Sequence, residues 1–128
     1  IEYFDRKEII TLLLEWKRVL KKDGILRIAV PDFDVLSHLY QEGIITLDQV
    51  LGPLYGRMIM DDKIIYHKTT YDKKSLENLL NELGFYDISI YNWQDTEHSM
   101  FDDHSQAYIP HMDKENGTLM SLNVEATK

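Results

Sequence analysis

The sequence predicts an α/β fold, a single domain over residues 1–128 in which helices pack on a small sheet. Three segments carry this prediction: an amphipathic helix followed directly by an apolar strand, a leucine-rich helix, and a terminal strand of alternating polarity. They span about Arg6 to Val30, Asp72 to Gly84, and Met120 to Ala126. The succession of helix, glycine, apolar strand and proline is typical of a parallel α/β layer.

The first helix is predicted from about Arg6 to Lys22. Asp5 and Glu8 stand three residues apart, as in a capping box, where each side chain accepts a hydrogen bond from a free N–H group of the first turn. Gly24 follows the helix where a left-handed stop is expected. One face of the helix is expected to lie in the core, formed by the apolar stripe Ile9, Leu13, Trp16 and Leu20.

The strand after this helix is a nearly continuous apolar run from Ile25 to Val30, ended by Pro31. Such a run is typical of a strand that is buried on both faces. The remaining elements are assigned from caps, helical spacing and alternation. In chain order they are a helix from Asp34 to Glu42, a helix capped by Thr46 and Gln49 and shortened or bent by Gly52 and Pro53, the leucine helix capped by Asp72, a strand from Ile88 to Trp93, and a polar loop from Gln94 to Gly117.

Composition excludes several classes of protein. The chain has no cysteine, which rules out disulfides, thiolate nucleophiles and cysteine-type zinc sites. A net charge of −8 disfavours nucleic-acid binding, which needs a basic face. No apolar run approaches the ~20 residues that a membrane span requires, so no membrane association is expected and a cytoplasmic location is the default. The six glycines never fall into G-x-G spacing, so no glycine-rich phosphate loop is expected.

The stretch from Glu15 to Pro31, which reads E-W-K-R-V-L-K-K-D-G-I-L-R-I-A-V-P, resembles class I S-adenosylmethionine-dependent methyltransferases. In that family a helix ending in R-V-L-K-P-G-G leads into the fifth strand of a seven-stranded sheet. Here Lys-Asp-Gly replaces Lys-Pro-Gly-Gly and keeps the stop glycine. The leucine helix with Gly84-Phe85 is similar to the approach to the sixth strand, and Ser121–Ala126 to the seventh.

This resemblance implies the C-terminal part of a Rossmann-like methyltransferase sheet, with strands equivalent to five, seven and six and the seventh antiparallel. The chain opens on Ile1 without an initiator methionine, which predicts a fragment. The implied cofactor is S-adenosylmethionine, and the implied substrate is small or saccharide-like and hydroxylated. The alternative is a truncated, noncatalytic module that associates with another chain. The fifth strand would then lack its neighbour, so its exposed edge predicts a homodimer through that edge, or cover by the chain's own N-terminus.

Two groups of candidate residues lie near the strand ends. By resemblance, Glu2 and Tyr3 follow the family's fourth strand and are candidates for binding the cofactor. Asp32 and Asp34 follow the predicted central strand, at the edge of an open sheet where ligands bind. Asp32 is a candidate general base and Asp34 a candidate substrate ligand. The alternative is that either aspartate only caps the next helix.

Three further candidates lie in polar and aromatic segments. His67 is a candidate base or substrate contact, and Tyr71 a candidate substrate ligand; the alternatives are a surface histidine and a staple residue before the Asp72 cap. The polar loop holds three of the five histidines, among them His104, a candidate substrate ligand. Their spacing matches no standard metal site, so no metal is expected.

Overall fold

The computed structural model describes all residues, 1–128, and has mixed α/β content. The chain forms four helices and seven strands. The helices are α1 (Glu8–Val19), α2 (Phe33–Gln41), α3 (Leu47–Tyr55) and α4 (Lys73–Glu82). The strands are β1 (Ile25–Pro31), β2 (Met58–Met60), β3 (Lys63–Ile65), β4 (Tyr86–Ile90), β5 (Tyr108–Ile109), β6 (Thr118–Leu119) and β7 (Ser121–Thr127). The predicted α/β class is confirmed.

The helix caps were predictable because they depend on residues close together in sequence. Asp5 Oδ1 accepts a hydrogen bond from the Glu8 N–H at 2.9 Å, and Glu8 Oε2 accepts one from the Asp5 N–H at 3.0 Å. At the start of α4, Asp72 accepts from the Ser75 N–H at 2.7 Å. Both capping predictions are confirmed. Helix α1 is shorter than predicted, since it runs from Glu8 to Val19.

The main sheet has three strands in the order β1-β7-β4. The central strand β7 is antiparallel to both neighbours, so β1 and β4 run in the same direction without pairing. The register runs from Ile25 opposite Thr127 to Pro31 opposite Ser121. Two short antiparallel pairs, β2-β3 and β5-β6, complete the strands. Hydrogen-bonded pairing within the sheet is therefore antiparallel, which differs from the parallel layer that the sequence predicts.

Helices α1 and α4 cover one face of this sheet and form the main core with it. Ile9 and Leu13 of α1 lie in one cluster with Leu76 and Leu80 of α4 and with the inward residues of β1 and β7. The predicted stripe on α1 is therefore the correct face. A second, smaller cluster joins α2 and α3 to β5. No helix is both long enough and apolar enough to cross a membrane, and the cytoplasmic location stays a prediction.

The opposite face of the sheet is covered by the segment that the sequence predicts as a polar loop. Asn123 of β7 is only 2% exposed, and its Nδ2 donates to the Ser105 carbonyl at 2.8 Å. Ser121 Oγ donates to Asn123 Oδ1, also at 2.8 Å. The segment contains two short 3₁₀ helices, Trp93–Asp95 and His104–Gln106. Both faces of β7 are therefore buried, because hydrogen bonds satisfy the polar one.

Two strand predictions were only partly correct. The strand predicted from Ile88 to Trp93 ends at Ile90, since Trp93 begins a 3₁₀ helix. Strand β1 is not buried throughout, because Ile25 is 54% exposed at the edge of the sheet. The β2-β3 hairpin was not predicted; its strands are three residues each, too short for alternation to identify.

Strand β1 has one open edge. Lys128 N donates to Gly24 O and Asp32 N donates to Met120 O, which places the hydrogen-bonded pairs at even-numbered residues of β1. The odd-numbered residues Ile25, Arg27 and Ala29 therefore direct their backbone groups away from β7. No strand pairs with them there. The chain's N-terminus packs on the core through Ile1 but forms no strand beside β1.

Candidate functional site

A cleft of about 840 Å³ opens at the C-terminal end of β1. Its walls are Ala29 and Pro31 of β1, residues 1–3, the last turn of α3, and parts of the segment 102–112. These elements are far apart in sequence and meet only in the folded chain. The cleft brings together four of the candidate residues: Glu2, Tyr3, His67 and His104. Ligands bind at this end of the strands in open α/β sheets.

His67 forms part of the cleft floor, where its side chain is only 6% exposed. Its Nδ1 lies 3.0 Å from the carbonyl oxygen of Pro53, in the last turn of α3. Because a carbonyl oxygen only accepts, Nδ1 carries the proton of this bond. Nε2 then faces Glu2 Oε1 at 3.6 Å. The end of a helix therefore orients the ring of His67, with Nε2 towards the carboxylate of Glu2.

Gly56 ends α3 in a left-handed conformation, with φ +43°, and lies against the ring of His67. A Cβ at this position would overlap three atoms of the imidazole, Nε2, Cε1 and Cδ2. Two requirements thus fall on one residue: a positive φ and room for the ring. The glycine fixes where His67 can lie.

Glu2 is buried, and its backbone oxygen accepts from the N–H groups of Lys68 and Thr69 at 2.8 and 3.2 Å. Burial raises the pKa of the Glu2 carboxyl, whereas its own backbone N–H and His67 oppose the rise. Tyr3 meets His67 edge to face, with 4.6 Å between ring centroids, and burial raises its pKa. Glu2 thus places a carboxyl group in the floor of the cleft.

His104 begins the second 3₁₀ helix, which Asp103 caps by accepting from the Ser105 N–H at 2.8 Å. Neither ring nitrogen of His104 has a hydrogen-bond partner in the protein. Water reaches the ring through the cleft, but the surrounding walls reduce the solvation of its cation. Burial therefore lowers the pKa of His104, although Glu2 opposes this shift. His104 is a neutral imidazole whose nitrogens remain available to a ligand.

Two acidic residues lie in the same wall. Asp102 is paired with Lys114 at 3.0 Å, and Lys114 itself does not line the cleft. Asp103 faces His98 at 3.7 Å. None of the 14 lysines and arginines of the chain lines the cleft. Its charged lining is therefore acidic. No three histidine or carboxylate side chains meet in an arrangement that would hold a metal ion.

The remaining candidate residues lie outside the cleft. Asp32 Oδ1 accepts from the Asp34 N–H at 3.0 Å and caps α2, the arrangement that the alternative interpretation expects. Burial raises the pKa of Asp32, while the backbone hydrogen bonds at the helix start oppose the rise. Asp34 is exposed on α2. Neither aspartate lines the cleft.

Tyr71 lies beneath the cleft floor and is 1% exposed. Its hydroxyl has no hydrogen-bond partner and borders a narrow void walled by Glu2, His67 and Pro31. The Arg6 guanidinium lies 5.0 Å from the centre of its ring. Tyr71 therefore supports the floor from below and does not reach the open cleft.

Sequence reasoning missed the part of the site that α3 supplies. Gly52 and Pro53 are predicted only to shorten or bend a helix; Pro53 lies inside α3, and its carbonyl orients His67. The available signal was Gly56 after a capped helix, which indicates where α3 ends. That signal does not indicate which side chain packs on the glycine.

Comparisons of the chain with protein-family models, with curated proteins and with solved structures found no match.

Proposed function

We propose that this chain is the substrate-side part of an S-adenosylmethionine-dependent methyltransferase acting on a small or saccharide-like hydroxylated compound. The observation that carries the proposal is the sheet order β1-β7-β4 with β7 antiparallel, together with a cleft at the C-terminal end of β1. Strands equivalent to five, seven and six would have this order and these directions. The Rossmann-like assignment of the sheet belongs to the same proposal.

The residues present fit one end of the cofactor. Glu2 and Tyr3 place a carboxylate and an aromatic ring in the cleft, groups that suit a positively charged sulfonium. The nucleoside end needs backbone N–H groups of a glycine-rich loop, and the six glycines here are not spaced to form one. Bound S-adenosylmethionine would supply an electrophilic methyl group. This chain would contribute the acceptor's position and the removal of its proton.

His104 is the residue that suits proton removal. Its neutral imidazole is open to the cleft, and a hydroxyl that is methylated must lose a proton as its oxygen attacks. His67 is largely buried and already bonded to Pro53, so its proposed role is to position Glu2 beneath the ligand. Asp32 is engaged by the helix start, which leaves His104 as the proposed base.

The proposal is tested by reading the coding sequence upstream of Ile1 and assaying the complete polypeptide for transfer of a radiolabelled methyl group. We expect a strand followed by a G-x-G loop upstream, and transfer to a hydroxylated acceptor. Residues 1–128 alone should bind S-adenosylmethionine weakly or not at all in calorimetry, because the glycine loop is missing. Tight binding by residues 1–128, or a complete frame without such a loop, would contradict the proposal.

The open edge of β1 favours a second candidate function, a noncatalytic module that associates with another copy. Ile25, Arg27 and Ala29 present unpaired backbone groups there, and such edges pair readily with other strands. We expect light scattering after size exclusion to give a dimer mass at low micromolar concentration. A monomer with amide hydrogens of Arg27 and Ala29 that exchange freely would eliminate this candidate.

A further inference from the structure

The charged lining of the cleft is one-sided. Glu2, Asp102 and Asp103 contribute carboxylates, and no lysine or arginine lines the cleft, although Lys114 pairs with Asp102 from outside the lining. Glu2 lies in the floor and the two aspartates lie in the wall, so a ligand between them would meet negative charge from more than one side. A phosphate or carboxylate in this place would be repelled, and the lining has no lysine or arginine to pair with it.

The C-terminal end of α3 adds to the negative electrostatic potential of the cleft. The cleft is lined at this end of the helix by Gly52, Pro53 and Gly56. The C-terminus of a helix carries partial negative charge, and no basic residue lies in the last turn of α3 to offset it. Two of the cleft histidines do not reverse the sign: His67 faces Glu2, and the surrounding walls lower the pKa of His104.

The uncharged surfaces of the cleft suit the alkyl part of an organic cation. Tyr3 and Tyr108 provide aromatic rings, and Met112 and Met120 provide polarisable thioethers. Aromatic faces attract ammonium groups and their methyl substituents.

From these features we propose that the cleft binds a hydroxylated organic cation, such as an amino alcohol or an aminated sugar, in preference to neutral or anionic compounds. This proposal rests on the proposed function, because it assigns a positive charge to the methyl acceptor that the same cleft would bind. Its test measures binding alone and does not require methyl transfer.

The test uses three compounds of nearly the same shape and different charge. Choline is a hydroxylated cation, 3,3-dimethyl-1-butanol is its neutral isostere, and 3,3-dimethylbutyrate is an anion with the same branched end. Each is titrated into the chain while the ring protons of His67 and His104 are followed by NMR. We expect choline to bind about tenfold more tightly than the alcohol. Adding salt to about 1 M, where the screening length is about 3 Å, should remove most of that difference.

Asp102→Asn should weaken choline binding about two- to fivefold, because Asp102 is solvent-exposed, and leave the alcohol unchanged. Glu115→Gln is the matched control, since it removes a carboxylate from the same chain outside the cleft. Equal affinities for choline and the alcohol, stronger binding of the anion, or unmoved histidine signals with all three compounds would overturn the proposal. Choline binding without methyl transfer by the complete polypeptide would defeat the proposed function and leave this preference standing.

Discussion

Replacing His104 with asparagine is expected to lower methyl transfer by the complete polypeptide by about 10²–10⁴-fold, the contribution usual for a general base. The ring is open to the cleft and has no hydrogen-bond partner in the protein, so the fold should not depend on it. The pH profile gives a second measurement. Burial lowers the pKa of His104, so the wild-type rate should fall only below about pH 6.5, the ordinary value for histidine. This acid limb should be missing in the variant.

His38→Asn is the matched control, because His38 is exposed on α2 and does not line the cleft. It should leave both the rate and the pH profile unchanged. The informative comparison within the cleft is His111→Asn, in the same polar segment. If His111→Asn abolished transfer while His104→Asn kept the wild-type rate and acid limb, the role proposed for His104 would be wrong.

Gly56→Ala is expected to reduce the free energy of unfolding by about 2–5 kcal/mol. Forcing an L-residue into the left-handed conformation costs about 1–2 kcal/mol, and inserting a methyl group into a filled position costs about 1–3 kcal/mol. The new Cβ would overlap the His67 ring, so the ring must move away from Pro53 and Glu2. Urea unfolding measures the loss of unfolding free energy, and the NMR signals of His67 report the displacement of its ring.

Gly43→Ala separates strain from crowding. Gly43 also has a positive φ, +69°, but a Cβ there would meet nothing within 4 Å. This control should therefore show only the cost of the backbone conformation and leave the His67 signals in place. Equal destabilisation by the two variants, with an undisturbed His67 in both, would show that Gly56 does not position the ring.

The elements that were predicted well are those whose signals are local. The box of Asp5 and Glu8, the cap at Asp72 and the apolar stripe of α1 each depend on residues within a few turns of one another. The predictions failed where a distant segment decides the outcome. Trp93 begins a 3₁₀ helix instead of ending a strand, and the polar residues of β7 are buried because Ser105 accepts from Asn123.

The candidate site likewise combines features that local sequence predicts with features that depend on contacts between distant segments. The sequence could select Glu2, Tyr3, His67 and His104 as separate candidates by type and position, but it could not indicate that they share one cleft. Asp32 and Asp34 looked equally suitable, and only the structure shows that Asp32 is engaged by the start of α2. Residue type determines which chemistry a side chain can carry, whereas the tertiary fold determines which side chains lie close together.

By itself, the sequence determined the α/β class, the N-terminal caps at Asp5 and Asp72, the inward face of α1, the alternation of the last strand, and an acidic chain without cysteine. The left-handed stop predicted at Gly24 was wrong, because the positive φ after α1 belongs to Asp23. Tertiary structure alone decided the cover of the second sheet face and the cleft in which His67 lies against Pro53, Gly56 and Glu2. The physical reason is the range of the interactions. Hydrogen-bonding and helical periodicity act over a few residues, whereas packing joins segments about sixty residues apart along the chain, as the Glu2–His67 pair does.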